Sequence, residues 1–155
     1  MVSNIYLNNL GKYLNNYQGT FSCDNIKKNN LNMDNATYII NLSKLTEKGS
    51  HLIAIQTNSK NKKVVYFDSF GLPCSNKDIL TFIYDINNKY EYNSHQVQHL
   101  DSNYCGIYCL AFVMYFEKNN SLKNFIKMFN SYNLLENDKI VVNYISNNVK
   151  IFKNK

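Results

Sequence analysis

The chain contains no arginine and no tryptophan, and it has one proline and five glycines among its 155 residues. All 17 basic residues are therefore lysines, which supply point charges rather than the planar fork that reads bases or phosphates bidentately. The formal net charge of +6 permits nonspecific contact with a polyanion such as DNA, without requiring it. The lack of arginine thus argues against a protein that reads nucleic-acid sequence.

The sequence also lacks linkers, internal repeats and long apolar runs. No Pro-rich or Gly-rich segment divides it, and its length suits a single domain over residues 1–155. The longest apolar stretch, Tyr104 to Phe116, has 13 residues, whereas a bilayer-spanning helix needs roughly 17–25. Met1 to Asn9 carry no basic cluster followed by an apolar run, so we expect no secretory signal and no membrane partner.

Cysteine is present, but the sequence gives no reason to pair it. The four cysteines could form two disulfides; they are Cys23, Cys74, Cys105 and Cys109. Because no export signal accompanies them, free thiols are the better expectation. Their interest is therefore chemical rather than structural.

Hydrophobic periodicity predicts an α+β fold. Apolar residues at near-helical spacing predict a first helix from Ile5 to Tyr17, ended by Gly19. Segments rich in β-branched and aromatic residues predict strands over 37–42, 51–56 and 64–67, with a hairpin turn at 58–62. A further strand is expected over 94–100, and further helices over 76–87, 122–129, 138–151 and from Cys105 onward.

Cys105 is the strongest candidate for a nucleophile. It follows a polar loop, residues 101–104, and begins the apolar run that predicts a buried helix. Unpaired N–H groups and the helix dipole favour an anion at such a position, which lowers the pKa of a thiol. Gly106 has no Cβ, so a substrate backbone can approach the sulfur closely. The alternative is an ordinary small core cysteine, which the polar loop before Cys105 makes less favoured.

A thiolate nucleophile needs a base, and the base needs an acceptor that fixes its tautomer. His51 opens one predicted strand, and Asp68 ends the next strand, 17 positions later. A short hairpin between antiparallel strands brings these two ends side by side. Taken singly, His51 could be an ordinary surface residue at the end of a strand, and Asp68 could be an ordinary turn-forming carboxylate. Their joint placement predicts a catalytic pair.

An amide side chain near the sulfur could donate to the oxyanion of a tetrahedral intermediate, together with the backbone N–H of Cys105. Gln98 precedes Cys105 by seven residues and suits this role. Gln96 has the same chemistry, and spacing alone does not choose between the two.

Zinc is a rival use for some of these residues. His95 and His99, taken with Cys105 and Cys109, give an H-x3-H and a C-x3-C pair. This spacing matches no common zinc pattern, so we expect no metal. We expect both histidines to be solvated or packed side chains.

The candidate residues lie in segments that resemble a known family. Residues 49–51, 66–71 and 98–109 read Gly-Ser-His, Tyr-Phe-Asp-Ser-Phe-Gly and Gln-x-x-Asp-Ser-x-x-Cys-Gly-x-Tyr-Cys. They are similar to the adenovirus-type cysteine endopeptidases, the adenains, over roughly residues 10–117. The order His, acidic residue, Gln, Cys is shared with the wider ubiquitin-like-protein proteases. The interval between His51 and Asp68 and the aromatic segment around Asp68 favour the viral branch.

The resemblance implies an α+β fold like a circularly permuted papain, with a small mixed sheet and the nucleophile at the start of a buried central helix. It implies roles for the candidate residues, namely Cys105 as nucleophile, His51 as base, Asp68 as its orienting acid and Gln98 in the oxyanion hole. Gly106 and Leu52 are the expected substrate-binding positions. Leu52 stands where the family commonly has a tryptophan that covers the histidine.

The resemblance further implies cleavage after small residues, often Gly, in viral capsid and core precursors. The chemistry is expected to need no cofactor, while activation by DNA or by a peptide stays open. No cysteine clearly matches the family's peptide-linking position. The expected location is the virion and the nucleus or cytoplasm of an infected cell.

Two other functions stay open at this point. A deconjugase of ubiquitin-like modifiers would use the same catalytic residues but would need a broad surface for docking the modifier. A basic nucleic-acid-binding domain would stack bases on tyrosines. Most of the tyrosines, however, fall at positions suited to core packing.

Overall fold

The computed structural model describes residues 3–29 and 31–153, and a five-stranded mixed sheet forms its centre. The strands lie side by side in chain order, β1 (Tyr17–Ser22), β2 (Ala36–Asn41), β3 (Leu52–Asn58), β4 (Lys63–Phe67) and β5 (Glu91–Tyr92). Strands β2, β3 and β4 form an antiparallel meander. The outer strands β1 and β5 each run parallel to their neighbour.

Within residues 3–29 and 31–153, five helices complete the fold, α1 (Asn4–Gly11), α2 (Lys77–Tyr84), α3 (Cys105–Phe116), α4 (Leu122–Ile126) and α5 (Asn137–Lys153). Short 3-10 turns lie at Ile26–Lys28, between β1 and β2, and at Leu134–Glu136, between α4 and α5. The expected α+β class with a mixed sheet is confirmed. The three central strands and the helix that begins at Cys105 also lie where the sequence predicts them, with bounds that differ by one or two residues.

Helices cover both faces of the sheet, which is why the central strands are buried on both sides. Alternate residues of β3 point in opposite directions, so Leu52 and Ala54 pack towards α3 while Ile53 and Ile55 pack towards α2. Helix α3 is apolar all round, as befits a helix packed between the sheet and other helices. The stacking of Phe67 on Phe112 fixes α3 to β4, with ring centroids 5.3 Å apart.

The first helix is shorter than the sequence predicts. It ends at Gly11, where a Cβ would collide with the ring of Tyr17. Tyr17 belongs to β1 and not to the helix, so the near-helical spacing of its apolar residues is misleading. Gly19 does not end a helix; it lies inside β1 with φ of +130°, where the pairing with β2 shifts register.

The strand predicted over 94–100 is wrong, because this segment is an irregular loop. The backbone N–H groups of Val97 and Gln98 both donate to the carbonyl of Ser69, at 2.9 and 3.0 Å, instead of pairing with a strand. The second parallel edge of the sheet is β5, which begins further upstream, at Glu91. Within the described ranges, no helix combines the length and apolar character needed to cross a bilayer.

Candidate active site

Cys105 is the first residue of α3, at the end of the helix where backbone N–H groups lack helical partners. Tyr104, which precedes it, makes no side-chain cap. The Cys105 sulfur instead receives backbone hydrogen bonds from Leu52, at the start of β3, and from Gly106. The first turn of α3 and the start of β3 therefore both stabilise negative charge on this sulfur.

His51 and Asp68 meet at one end of the β3–β4 hairpin. Ala54 pairs with Phe67 in this ladder, so the residues just before β3 and just after β4 are neighbours. His51 Nε2 lies 2.9 Å from Asp68 Oδ1. His51 also hydrogen bonds to the Cys105 thiol. The imidazole thus bridges the carboxylate and the thiol.

The bridging geometry shifts the pKa values of both partners in the direction that favours an ion pair. Burial opposes ionisation of the Cys105 thiol, but the hydrogen bonds from His51 and from the two backbone N–H groups outweigh it and lower the pKa. Burial also disfavours the charged form of His51, yet hydrogen bonds and charge interactions with Asp68 and Cys105 raise its pKa to about 9. Both shifts favour the pair in which the thiol is a thiolate and the imidazole is an imidazolium.

Phe70 covers the face of the imidazole. The rings of His51 and Phe70 stack with their centroids 4.9 Å apart and their planes at 26°. The backbone N–H of Phe70 also donates to Asp68 Oδ1 at 2.8 Å. Phe70 therefore contacts both members of the pair, His51 through its ring and Asp68 through its backbone N–H.

Gln98 lies buried in the loop that precedes Cys105, with its side-chain amide held at both ends. Its Oε1 accepts from the Ser69 hydroxyl at 2.6 Å, and its Nε2 donates to the Ser102 carbonyl at 2.8 Å. The amide NH₂ carries two hydrogens, so one remains for another acceptor. Gln96 is less buried, and its Nε2 donates to the backbone carbonyl of Gln98 at 2.7 Å. The structure therefore gives Gln96 a supporting contact with this loop.

The loop that carries Gln98 is fastened to the segment after Asp68. Asn93 is buried and hydrogen bonds to both the backbone N–H and the carbonyl of Asp68, at 3.1 and 2.6 Å. Gly71 has φ of +72°, and a Cβ there would lie 2.7 Å from the carbonyl carbon of His95. The two segments approach each other so closely that only glycine fits at this position.

Helix α5 holds the same loop from the other side. Asn137 is fully buried and donates from Nδ2 to the carbonyl of Val97 at 2.7 Å. Asp138 accepts hydrogen bonds from the hydroxyls of Ser102 and Tyr108, at 3.0 and 2.9 Å. Both ends of the segment between Val97 and Ser102 are therefore tied to α5, which restricts where Gln98 can lie.

The two residues expected to bind substrate are placed differently from the catalytic candidates. The Leu52 side chain is 1% exposed and packs in the core beneath α3, so it does not cover His51. What Leu52 offers the site is its backbone N–H. Gly106 lies next to the sulfur, also with its backbone N–H towards it.

His95, His99 and Cys109 lie outside this cluster. His99 Nδ1 accepts from the backbone N–H of Asp101 at 3.2 Å. Cys109 is fully buried one turn along α3, and burial raises the pKa of its thiol well above the ordinary value. In the part of the chain that the structure describes, no group of three or more His, Cys, Asp or Glu side chains is arranged to hold a metal ion. All four cysteines are free thiols.

Comparison with solved structures identifies a protein with the same fold. The structure matches that of the ASFV pS273R protease with a TM-score of 0.58 and 16% sequence identity, over 96% of this chain and 66% of that one. The two proteins share one fold. This chain spans about two thirds of the length of the ASFV pS273R protease, at 66%. No family model and no curated protein matches the sequence.

A second match is to the SUMO protease Ulp1 with its catalytic cysteine oxidised to a sulfenic acid. The TM-score is 0.43 and the identity 14%, over 94% of this chain and 76% of that one. The likeness to the ASFV pS273R protease, with the higher TM-score, is the one that bears on the fold.

The site contains residues that the sequence analysis did not single out, namely Ser69, Phe70 and Asn93. Ser69 and Phe70 directly follow Asp68, so a turn that aims Asp68 inward also brings its neighbours close to the site. Their position next to Asp68 could therefore have predicted that Ser69 and Phe70 lie at the site. Asn93 is 25 residues away from Asp68 in the chain, and nothing in its local sequence marks it.

Proposed function

We propose that this protein is a cysteine endopeptidase that uses Cys105 as its nucleophile. The observation that carries the proposal is the His51 imidazole, which contacts both the Asp68 carboxylate and the Cys105 thiol. A structural cysteine has no need of a buried imidazole and carboxylate in series. An ion pair of this kind is the form in which a thiol is nucleophilic at neutral pH.

The reaction then follows from the positions of these groups. The Cys105 thiolate attacks the carbonyl carbon of the scissile peptide bond, and the free N–H of Gln98 and the backbone N–H of Cys105 stabilise the resulting oxyanion. The His51 imidazolium gives its proton to the leaving amine as the C–N bond breaks, which leaves a thioester on Cys105. His51 next takes a proton from water, which attacks the thioester and releases the acid with the thiolate restored. Side chains and backbone of the chain itself supply every group in these steps.

We propose glycine as the residue before the scissile bond. Gly106 adds no side chain next to the sulfur, and the half-buried ring of Phe70 stacks on the imidazole. A large side chain on the substrate residue just before the cleaved bond would need room between Gly106 and Phe70, whereas glycine needs none. The resemblance to adenovirus-type endopeptidases supports the same preference, with an aliphatic residue three positions further upstream. It also supports precursors of viral structural proteins as substrates, processed in the virion or the infected cell.

A peptide library derived from whole-proteome digests tests the proposal. The wild-type protein should cut after glycine, and Cys105→Ala should abolish cleavage while leaving the circular dichroism spectrum unchanged. Cys23→Ala is the matched control, because it removes another buried thiol, which packs in the core on the other face of the sheet from Cys105. Cleavage that survives in Cys105→Ala would refute the assignment of the nucleophile. Activity restricted to intact ubiquitin-like fusion proteins would instead identify a deconjugase.

A further inference from the structure

The contact between Ser69 and Gln98 joins two segments of the site in the interior of the protein. Ser69 has no exposed surface and Gln98 is 1% exposed. The Ser69 hydroxyl donates to Gln98 Oε1 at 2.6 Å. We propose that Ser69 is a positioning residue for the reaction, which fixes the side-chain amide of Gln98 so that an N–H is presented to the oxyanion. This inference rests on the proposed peptidase function.

Hydrogen-bond chemistry gives the amide one orientation. The Ser102 carbonyl can only accept, so it selects the Nε2 end of Gln98. The Ser69 hydroxyl can donate or accept, and with Nε2 bound to the Ser102 carbonyl it donates to Oε1. An amide rotated by half a turn would place its oxygen against the Ser102 carbonyl and would turn an acceptor towards the developing negative charge. The Ser102 carbonyl excludes that orientation, and the Ser69 hydroxyl holds the amide in the one that remains.

Removing the Ser69 hydroxyl leaves the rest of this arrangement intact. The backbone carbonyl of Ser69 accepts from the N–H groups of Val97 and Gln98, and neither bond involves the side chain. Ser69→Ala is therefore a local change that leaves Gln98 Oε1 buried without its donor. A buried carbonyl oxygen without a hydrogen-bond donor is destabilising, so we expect the Gln98 amide to lose its fixed orientation in this variant.

Three consecutive residues after β4 hold two parts of the site, the base and the oxyanion donor. Asp68 holds His51, Ser69 holds Gln98, and Phe70 stacks on His51. The base and the oxyanion donor are thus connected through consecutive residues after β4. Each depends on the same short segment for its orientation.

A double-mutant cycle on peptide cleavage tests the proposal. We expect Ser69→Ala to lower kcat about 10-fold with little change in KM, because a single buried hydrogen bond is lost. Gln98→Ala should lower kcat by about 10²–10³, as for other side-chain oxyanion donors. In the Gln98→Ala background, adding Ser69→Ala should change kcat less than about 2-fold, since there is no amide left to position. Tyr17→Phe is the control, because it removes a hydroxyl bonded at the same distance of 2.6 Å, to Thr20 in β1.

A spectroscopic measurement separates this inference from the proposed function. In protein labelled with ¹⁵N-glutamine, the side-chain NH₂ of Gln98 should exchange slowly with solvent in the wild type and at least 10-fold faster in Ser69→Ala. Independent, multiplying losses of kcat in the double variant, or unchanged NH₂ exchange in Ser69→Ala, would overturn the positioning role. A wild-type protein that cuts no peptide but shows the expected change in exchange would overturn the proposed function and leave the role of Ser69 in orienting Gln98 standing.

Discussion

Replacing Asp68 by asparagine is expected to remove a charge while keeping the hydrogen bonds that surround it. His51 and the backbone N–H of Phe70 both bond to the same atom, Asp68 Oδ1, at 2.9 and 2.8 Å. Asparagine keeps a carbonyl oxygen at this position, and that oxygen can accept from both donors. The Asp68→Asn variant therefore tests how much the negative charge contributes, with the geometry of the imidazole preserved.

The pKa of His51 gives the size of the expected effect. It lies at about 9, against 6.5 for an unperturbed imidazole, and this difference corresponds to about 3 kcal/mol in favour of the imidazolium. Burial opposes that shift, while Asp68 and Cys105 produce it together. We assign about 2 kcal/mol to the Asp68 charge, which predicts a decrease in kcat/KM of about 30-fold. His51→Ala removes the base entirely and should cost at least about 10³-fold.

The assay is cleavage of a glycine-containing peptide, measured as kcat/KM between pH 5 and 10. The imidazolium is the active form, so activity is present at neutral pH and is lost as pH rises through the pKa of His51, about 9 in the wild type. In Asp68→Asn this alkaline loss should move to lower pH. Equal losses in Asp68→Asn and His51→Ala, with folding unchanged, would refute the reasoning, as would an alkaline limb that does not move.

Substitutions at four other residues test neighbouring parts of the site. Gln98→Ala should raise the activation free energy by about 2.7–4 kcal/mol, whereas Gln96→Ala should have a much smaller effect on kcat, and the reverse order would move the oxyanion donor to Gln96. Phe70→Ala should lower kcat/KM about 3- to 10-fold, because it removes the ring stacked on His51, and Phe70→Tyr should retain the activity; equal activity in Phe70→Ala would show that the stacking is dispensable. Gly71→Ala should lower the free energy of unfolding in urea by about 2 kcal/mol, since its φ is +72° and its Cβ would press on the backbone of His95, and an unchanged midpoint would contradict this.

The sequence was sufficient for the parts of the site that depend on local order. The hairpin between β3 and β4 has a short turn, so its register follows from the two strands and brings His51 to Asp68. The apolar run after a polar loop likewise determines where α3 begins and places Cys105 at its first residue. Each of these inferences depends only on residues close together in the chain and on the regular geometry of a hairpin or a helix.

What the sequence could not supply depends on contacts between distant segments. Tyr17 continues the helical spacing of the first helix, yet it enters β1 because β2 offers a parallel partner. The sequence predicts a strand through Val97 and Gln98, but their N–H groups bond to Ser69 and not to a neighbouring strand. Likewise, Leu52 replaces the expected covering tryptophan in sequence, while Phe70 covers the histidine in space.

The most direct test of the ion pair between Cys105 and His51 is the pH dependence of alkylation by iodoacetamide, with the modified cysteine located by peptide mapping. In the wild type, Cys105 should react first and at a lower pH than the other three cysteines, because its pKa is lowered by His51 and by backbone N–H groups. Cys109 should remain unmodified, since burial raises the pKa of its thiol. In His51→Ala the labelling of Cys105 should move to alkaline pH. Identical pH profiles for Cys105 in the two proteins, or modification of Cys109 before Cys105, would contradict the assignment of an activated nucleophile.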